Sequence, residues 1–515
     1  MKRMMAMLLM LCVALTCFGC VAEDRPYVPS GDALVAEDNS VVVTTPQEFQ
    51  ELTLTYYADR SMNPYQSNDF TNRALFSLLY QSLFVVDRNY EVVPVLCSRY
   101  QVSADMKTYT IYIDEKATFS DGSALTVQDV LASYRAAQAS EYYKGRFVHV
   151  SEIVVEGDAV VFRLSTPMEH LTMLLDVPIV KASQTGEALP LGTGPYTFNG
   201  AITSAYLSRV TSWWCADRAD LAVTAASIHL VPAESPSQIR DQFQFYDLDV
   251  VCANPCSDLY ADYRCDFELW DCENGEMIYL ACNVAHREIF TSDALRSVLT
   301  YAIDRESLAS EFYGGFALSA TLPASPDSPC YNSKLAAQYG YAPDKFVTAV
   351  QEANPKTMAI TLLVNSADSR RIRVANRVAS MLEEAGFTVT VSALRDTAYT
   401  TALKKGSYDL HLGQTKLSPN MDLSAFFNPK GSLNYGGMTD AGIYALCQEA
   451  MANTGNYYTL HQKVMTDGML CPILFRSYAV YCQRGVVPGL EPARDNIFWY
   501  DLGKTMESAR LEVDE

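Results

Sequence analysis

Basic residues are scarce in this chain. Its 515 residues hold 39 Lys and Arg against 60 Asp and Glu, a formal net charge of −21. Binding phosphates needs clustered cations, so nucleic acid is a poor candidate partner; the surplus of acid suits solubility at a cell surface. Histidines are few and scattered, at 149, 170, 229, 286, 411 and 461, with no H-E-x-x-H. No G-x-S-x-G elbow presents a serine nucleophile. The glycine-rich run at residues 192–196 lacks the Gly-Lys-Ser/Thr of a phosphate loop. Catalysis needs a nucleophile, a base and an orienting group that converge, and no motif announces such a set. The chain therefore reads as a non-enzyme, with no cofactor and no bound metal. No internal repeat is present either.

Cysteine is plentiful but lacks the spacing that would give it an obvious job. Eleven of the fourteen follow Cys20, an odd number, so at least one is free or pairs with another molecule. Cys252, Cys256, Cys265, Cys272 and Cys282 are separated by three, eight, six and nine residues, not by the two of a structural zinc site. Buried reduced thiols, one or two disulfides, and a metal site all stay open.

The rest of the composition is that of a globular protein, 49% hydrophobic and 19% charged, long enough for two or three domains. Thirty-two tyrosines suit either packing or a ligand-lined cleft.

At the N-terminus Lys2 and Arg3 precede fifteen uncharged, mainly apolar residues, then Gly19-Cys20 and an acidic stretch. This is a secretory leader, too short for the ~20 residues of a membrane-spanning helix. Gly19-Cys20 resembles a bacterial lipoprotein processing site, which implies cleavage before Cys20 and lipid on its thiol and amine; a plain secreted protein is the alternative. Loss of the leader would take the charge to −23, since Lys2 and Arg3 are its only charges. Residues 20–48 have no sustained period and read as a flexible tether.

The most informative stretch is residues 105–134. Tyr109, Ile111 and Ile113 alternate with Thr108, Thr110 and Tyr112, a strand with one face buried. Ser120-Asp121-Gly122 make a tight turn, and Thr126 with Asp129 nearly forms a capping box ahead of a helix whose apolar face is Val127, Val130, Leu131 and Tyr134. This strand, turn and capped helix resemble a hallmark of the extracellular solute-binding proteins of the peptide/nickel type (family 5), which feed ABC importers. Residues 119–130 follow its pattern, with Val127 where Ala is frequent. Further matches come in order: Asn63-Pro64, Pro94 within residues 92–96, Gly192-Thr193-Gly194-Pro195-Tyr196, and Ala302-Ile303-Asp304-Arg305.

Local patterns fill in the rest. A strand is expected over residues 52–57, a helical stripe from Ala74 to Leu83, a hairpin over 152–164 and a helix over 290–303 capped by Ser292. Residues 360–364, 369–385 and 388–394 make a βαβ unit, with Gly386 stopping the helix; a helix over 398–405 and a strand over 408–412 follow. Arg370, Arg371, Arg373 and Arg377 read as a solvated helix face.

The resemblance implies an α/β, two-lobed periplasmic-binding-protein-like clamp (class II, peptide-binding type) with an extra subdomain on the first lobe. Lobe I would take residues 49–72, 188–283 and 482–507, the extra subdomain 73–187, and lobe II 284–481. It further implies a monomeric lipoprotein, at the outer face of the cytoplasmic membrane or in the periplasm, that hands a peptide or peptide-like solute to ABC permease subunits. An oligosaccharide, opine or metal chelate is the alternative cargo, and a surface sensor without transport the alternative role.

Ligand-facing residues, carried over by loop position, are Asn68, Phe70, Tyr279, Gln414, Thr415, Lys416, Asp422 and Trp499. Peptide-binding members hold the ligand's α-amino group with an Asp. Aligning Ser418-Pro419 with the family's Asp-Pro puts Thr415 at that place, beside Lys416. A cation there would repel an ammonium. Asp422 could substitute, and Lys416 could attract an anion or point to solvent.

Overall fold

The computed structural model describes residues 51–201, 204–217, 220–221, 223–257, 263–285, 288–487, 489–498, 500–501 and 511–513. The leader, the tether, the lipidation residue Cys20 and the site candidate Trp499 lie outside them. Among the described residues no helix is long and apolar enough to cross a membrane.

One half of the molecule is built on two sheets. The first runs Glu51–Tyr56, Ser227–Pro232, Tyr206–Arg209, Tyr196–Asn199, with its first pair parallel. Leu52, Leu54 and Tyr56 alternate into its core, as their period of two requires. The second has five strands in the order Leu511–Val513, Cys97–Val102, Thr108–Ile113, Ala159–Leu164, Val150–Glu156. Helix Val127–Ala139 lies beside it. Asp129 accepts the Thr126 N–H at 2.9 Å and the Thr126 hydroxyl accepts the Asp129 N–H at 3.4 Å, a complete capping box. Tyr134 from this helix meets Phe162 edge-to-face at 5.0 Å, and both are fully buried.

The family-like segments lock these parts together. Gly122 has φ +80°, a left-handed conformation that glycine tolerates, and the neighbouring Ser120 N–H donates to Gly192 O at 3.0 Å. Gly194 donates to Leu79 O at 3.1 Å, and a Cβ on it would overlap the Leu78–Leu79 backbone.

The other half is carried by the large mixed sheet, ordered Val250–Ala253, Leu470–Gln483, Phe267–Cys282, Leu410–Lys416, Ala359–Asn365, Thr388–Leu394. The last three strands are parallel, joined by helices Ser369–Glu383 and Asp396–Lys405. Apolar cores cover both faces of this part, one with Leu362, Val374 and Leu412, the other with Tyr279, Phe426 and Phe475.

Strands Phe267–Cys282 and Leu470–Gln483, 16 and 14 residues long, pair along their length and join the halves. Cys272, Val480 and Cys482 pack in the first half's core, whereas Ile278, Leu280, Ile473 and Leu474 pack in the second's. Their register breaks between the pairs Glu273↔Ser477 and Met277↔Phe475. Three residues, 274–276, oppose Arg476 there, and Gly275 takes φ +80°. An irregularity of this kind bends a sheet.

Several local expectations need correction. The helix expected over residues 290–303 is three short pieces, Glu288–Thr291, Asp293–Arg296 and Leu299–Ala302. Ser292 restarts the chain by accepting the Ala294 N–H, and the Arg296 guanidinium takes the Phe290 and Thr291 carbonyls at 2.7 Å. The stripe from Ala74 to Leu83 is likewise split into Phe70–Ala74 and Phe76–Leu79, after which the chain is extended. The strand expected over 408–412 runs later, Leu410–Lys416. Apart from Cys215, the cysteines from Cys97 to Cys482 are free thiols among the described residues, eight of these ten buried; burial pushes the Cys97 thiol up to about 12.

Candidate functional site

A buried cluster of charge lies where the halves meet, and elements from both supply it. Helix Val127–Ala139 ends at Ser140, whose hydroxyl donates to Tyr65 O at 2.7 Å and turns the chain. That turn delivers Tyr142, Tyr143 and Arg146. The C-terminal segment brings Arg494 and Asp495, the strand Leu410–Lys416 ends on Lys416, and the short helix Phe70–Ala74 presents Arg73.

Asp495 is the centre. Its Oδ1 accepts Lys416 Nζ at 2.6 Å and the Tyr142 hydroxyl at 3.1 Å, and its Oδ2 accepts Arg146 Nη2 at 2.8 Å. Arg494 Nε stands 3.7 Å from the same Oδ2. The side chains of Arg146 and Asp495 are 7% and 9% exposed; that of Lys416 is 31% exposed. Burial acts to raise the Asp495 pKa, but Lys416, Arg146 and Arg494 outweigh it and hold the carboxyl well below the usual range. Burial lowers and Asp495 raises the Lys416 ammonium, with the net result upward. Both are therefore charged across the neutral range.

Two further carboxyls near the cluster are pushed the other way. Asp176, 5% exposed, rises to about 6 because it is buried and close to Asp495, with Arg146 opposing. Burial also raises Glu273, which accepts hydrogen bonds from the Tyr90 hydroxyl and the Gly275 N–H. Arg73 adds a fourth cation, 3.4 Å above the Tyr142 ring and bonded to Tyr143 OH at 2.6 Å and to the Pro64 and Ser67 carbonyls at 3.1 Å. Its hydrogen-bond and ring partners among the described residues are carbonyls, a phenol hydroxyl and aromatic rings rather than a carboxylate. Burial tends to raise the Tyr142 phenol, and Arg73 and Lys416 reverse this so that it falls below its ordinary value.

Four cations thus face three carboxyls, two of them biased toward the neutral acid. Arg494 donates to Leu417 O through Nη2, while its buried Nε and Nη1 make no hydrogen bond among the described residues. Gly275 is needed beside it, since a Cβ there would overlap the guanidinium. A void of about 20 Å³, room for one or two waters, is lined by Arg73, Gln81, Tyr143, Asp176 and Asp495. Two other polar contacts join the surroundings of the five-stranded sheet to segments on the large sheet's side: His149 Nε2 lies 3.4 Å from Asp422 Oδ2, and Glu169 Oε2 accepts the Thr454 N–H at 2.7 Å.

Of the residues carried over by loop position, Lys416 stands in this cluster, paired rather than left to solvent. Phe70 is 38% exposed, and its ring lies 5.3 Å from the Tyr478 ring. Asn68 is exposed. Thr415 pairs through its backbone with Met277, and Gln414 buries an Oε1 that has no hydrogen-bond partner among the described residues. Asp422 accepts the Ser424 N–H at 2.8 Å and lies 3.4 Å from His149 Nε2. Tyr279 is fully inside the second half's core, edge-on to His411 and Phe426. Tyr142, Arg146, Arg494 and Asp495 went unseen in the sequence because no motif marks them; the Y-Y-K-G-R run at 142–146 was the available hint.

Comparison with known proteins decides the family. The profile described as "Bacterial extracellular solute-binding proteins, family 5 Middle" matches residues 91–436, more than half of the chain. The chain belongs to this family. As a family 5 solute-binding protein it is 24% identical over 353 residues to the glutathione-binding protein GsiB of Pectobacterium atrosepticum, covering 65% of this chain and 67% of that one. Its fold matches NikA from Brucella suis in complex with Fe(III)-EDTA, with TM-score 0.69, 17% identity, and 87% and 98% of the two chains covered. It also matches the oligopeptide-binding protein AppA of Bacillus subtilis in complex with a nonapeptide, with TM-score 0.61, 19% identity, and 88% and 99% covered. The two-lobed clamp expected from the sequence is the fold of this family 5 protein, and its relatives are solute-binding proteins rather than enzymes.

Proposed function

We propose that this family 5 protein is the substrate-binding lipoprotein of an ABC importer and captures a peptide or peptide-like solute by closing its two lobes. The observation that carries this is the pair of crossing strands, whose register breaks beside a polar cluster supplied by both halves. A bend there changes the distance between Lys416 and Arg146. Closure removes a ligand from water, and a ligand shifts the equilibrium only through its preference for the closed form. The named cargoes of the relatives, glutathione and a nonapeptide, support the peptide class.

On this reading lobe I comprises residues 49–72, 188–283 and 482–507, with the subdomain 73–187 and lobe II 284–481. Cys20 carries the lipid, residues 20–48 form the tether, and the protein works as a monomer beside its permease. A metal chelate is the second reading, favoured by the surplus of cations in the cluster and by the Fe(III)-EDTA held by NikA.

X-ray scattering on the mature protein tests closure. A mixture of short peptides should shrink the radius of gyration. Curves identical in every solute mixture, together with measurable turnover of a peptide or ester, would refute a passive clamp.

A further inference from the structure

Resting on the peptide reading above, we infer that the cleft recognises its ligand by a carboxylate, and that Asp495 is a resident counter-ion which the ligand's carboxylate replaces. The seat is divided between the halves: Lys416 comes from the strand Leu410–Lys416, and Arg146 and Arg494 from the opposite side.

The alternative is that Asp495 itself anchors a ligand ammonium. The hydrogen-bond inventory decides against it. The Asp495 carboxylate already accepts Lys416, Tyr142 and Arg146, with Arg494 close by, so an incoming ammonium would have to evict a cation already held at 2.6 Å. What the cluster has in surplus is donors. Arg494 keeps two buried nitrogens, Nε and Nη1, without a hydrogen bond among the described residues, on a side chain only 4% exposed. Arg73 is charged and lines the same void as Asp495, yet among the described residues it is hydrogen-bonded only to neutral oxygens. Buried donors left unmatched are costly, and an added acceptor of negative charge relieves them.

Asp495 occupies the place such an acceptor would take. It lies in residues 489–498, which have no helix or strand and in which Ala493 and Asn496 exchange backbone hydrogen bonds at 2.9 and 3.1 Å; replacement requires its side chain to turn aside from this turn when a carboxylate enters. Lys416 is the most exposed member of the cluster and the point at which solvent reaches it. A ligand carboxylate meeting Lys416 and Arg146 together would join the halves through charge-assisted hydrogen bonds, as Asp495 does now.

The test uses three pools of di- to pentapeptides of identical random sequence lacking Asp and Glu, offered to the mature protein as free peptides, N-acetyl peptides and C-terminal amides. Native mass spectrometry and calorimetry read what is retained. The free and N-acetyl pools should bind alike, and the amides roughly 10- to 100-fold more weakly, the loss expected when a charged hydrogen-bond acceptor is removed. Asp495→Asn should tighten the free pool several-fold while the melting temperature shows the fold intact; Lys416→Met should weaken it and erase the preference for acid over amide. Equal binding of acids and amides, or loss of binding on N-acetylation, overturns the carboxylate seat and leaves the peptide reading standing. Failure of all three pools to bind overturns both.

Discussion

Replacing Asp176 by Asn should make the protein more stable at pH 7.5 and slightly less stable at pH 4. Asp176 is 5% exposed and its carboxyl is raised to about 6, against about 3.9 for a free Asp. A folded-state pKa above the unfolded one means that the protonated form favours folding. That help is complete below about pH 4 and is lost as the pH rises through about 6, a swing of roughly 3 kcal/mol. The amide cannot ionise and escapes the loss. It also accepts less well from Val86 N, Ser82 Oγ and Asn496 Nδ2, which stand 3.1–3.3 Å from the carboxylate; those weakened bonds are worth about 1–2 kcal/mol. The variant should therefore gain about 1–2 kcal/mol at pH 7.5 and lose about 1 kcal/mol at pH 4. Urea unfolding of wild type and variant at both pH values measures this, and comparing the two cancels titrating groups remote from Asp176. An equal difference at both pH values would refute the burial argument, because it would mean that the carboxyl is not raised in the folded protein.

Two more outcomes follow from the parts around the cluster. Thr126→Ala removes the hydroxyl half of the capping box and should lower stability by about 1 kcal/mol, read as a small fall in urea midpoint at unchanged slope; Thr126→Ser should restore most of it. Gly275→Ala places a methyl group at φ +80° against the Arg494 guanidinium, and should cost roughly 2–4 kcal/mol from backbone strain and displaced charge. A Gly275→Ala protein as stable as wild type in thermal melts would show that the register break has no need of glycine.

Much of the scaffold could be read from the chain because local rules and tertiary packing agree there. Strand Thr108–Ile113, the Ser-Asp-Gly turn, the Thr126 cap and the βαβ unit beginning at Ala359 each follow from period, capping and turn chemistry. Where these rules failed, tertiary contacts had taken over local hydrogen bonds. Arg296 takes carbonyls that a continuous helix over 290–303 would have used. The crossing strand Phe267–Cys282 is hard to read from the chain because Asp271, Glu273, Asn274, Gly275 and Glu276 interrupt any apolar alternation; the last three of these make the register break. The site was less legible than the fold. Lys416 was found because a neighbouring Ser-Pro fixed an alignment, whereas Asp495, 79 residues further on, has meaning only once the chain has folded it against Lys416. Tyr279, carried over by loop position as ligand-facing, has its side chain in the core.

Native mass spectrometry of the protein purified gently from its source addresses the central claim most directly. A clamp for peptide-like solutes should carry a co-purified species that leaves on mild activation and fragments as a peptide. A carbohydrate or metal-chelate mass in its place would contradict the account of what the two halves enclose.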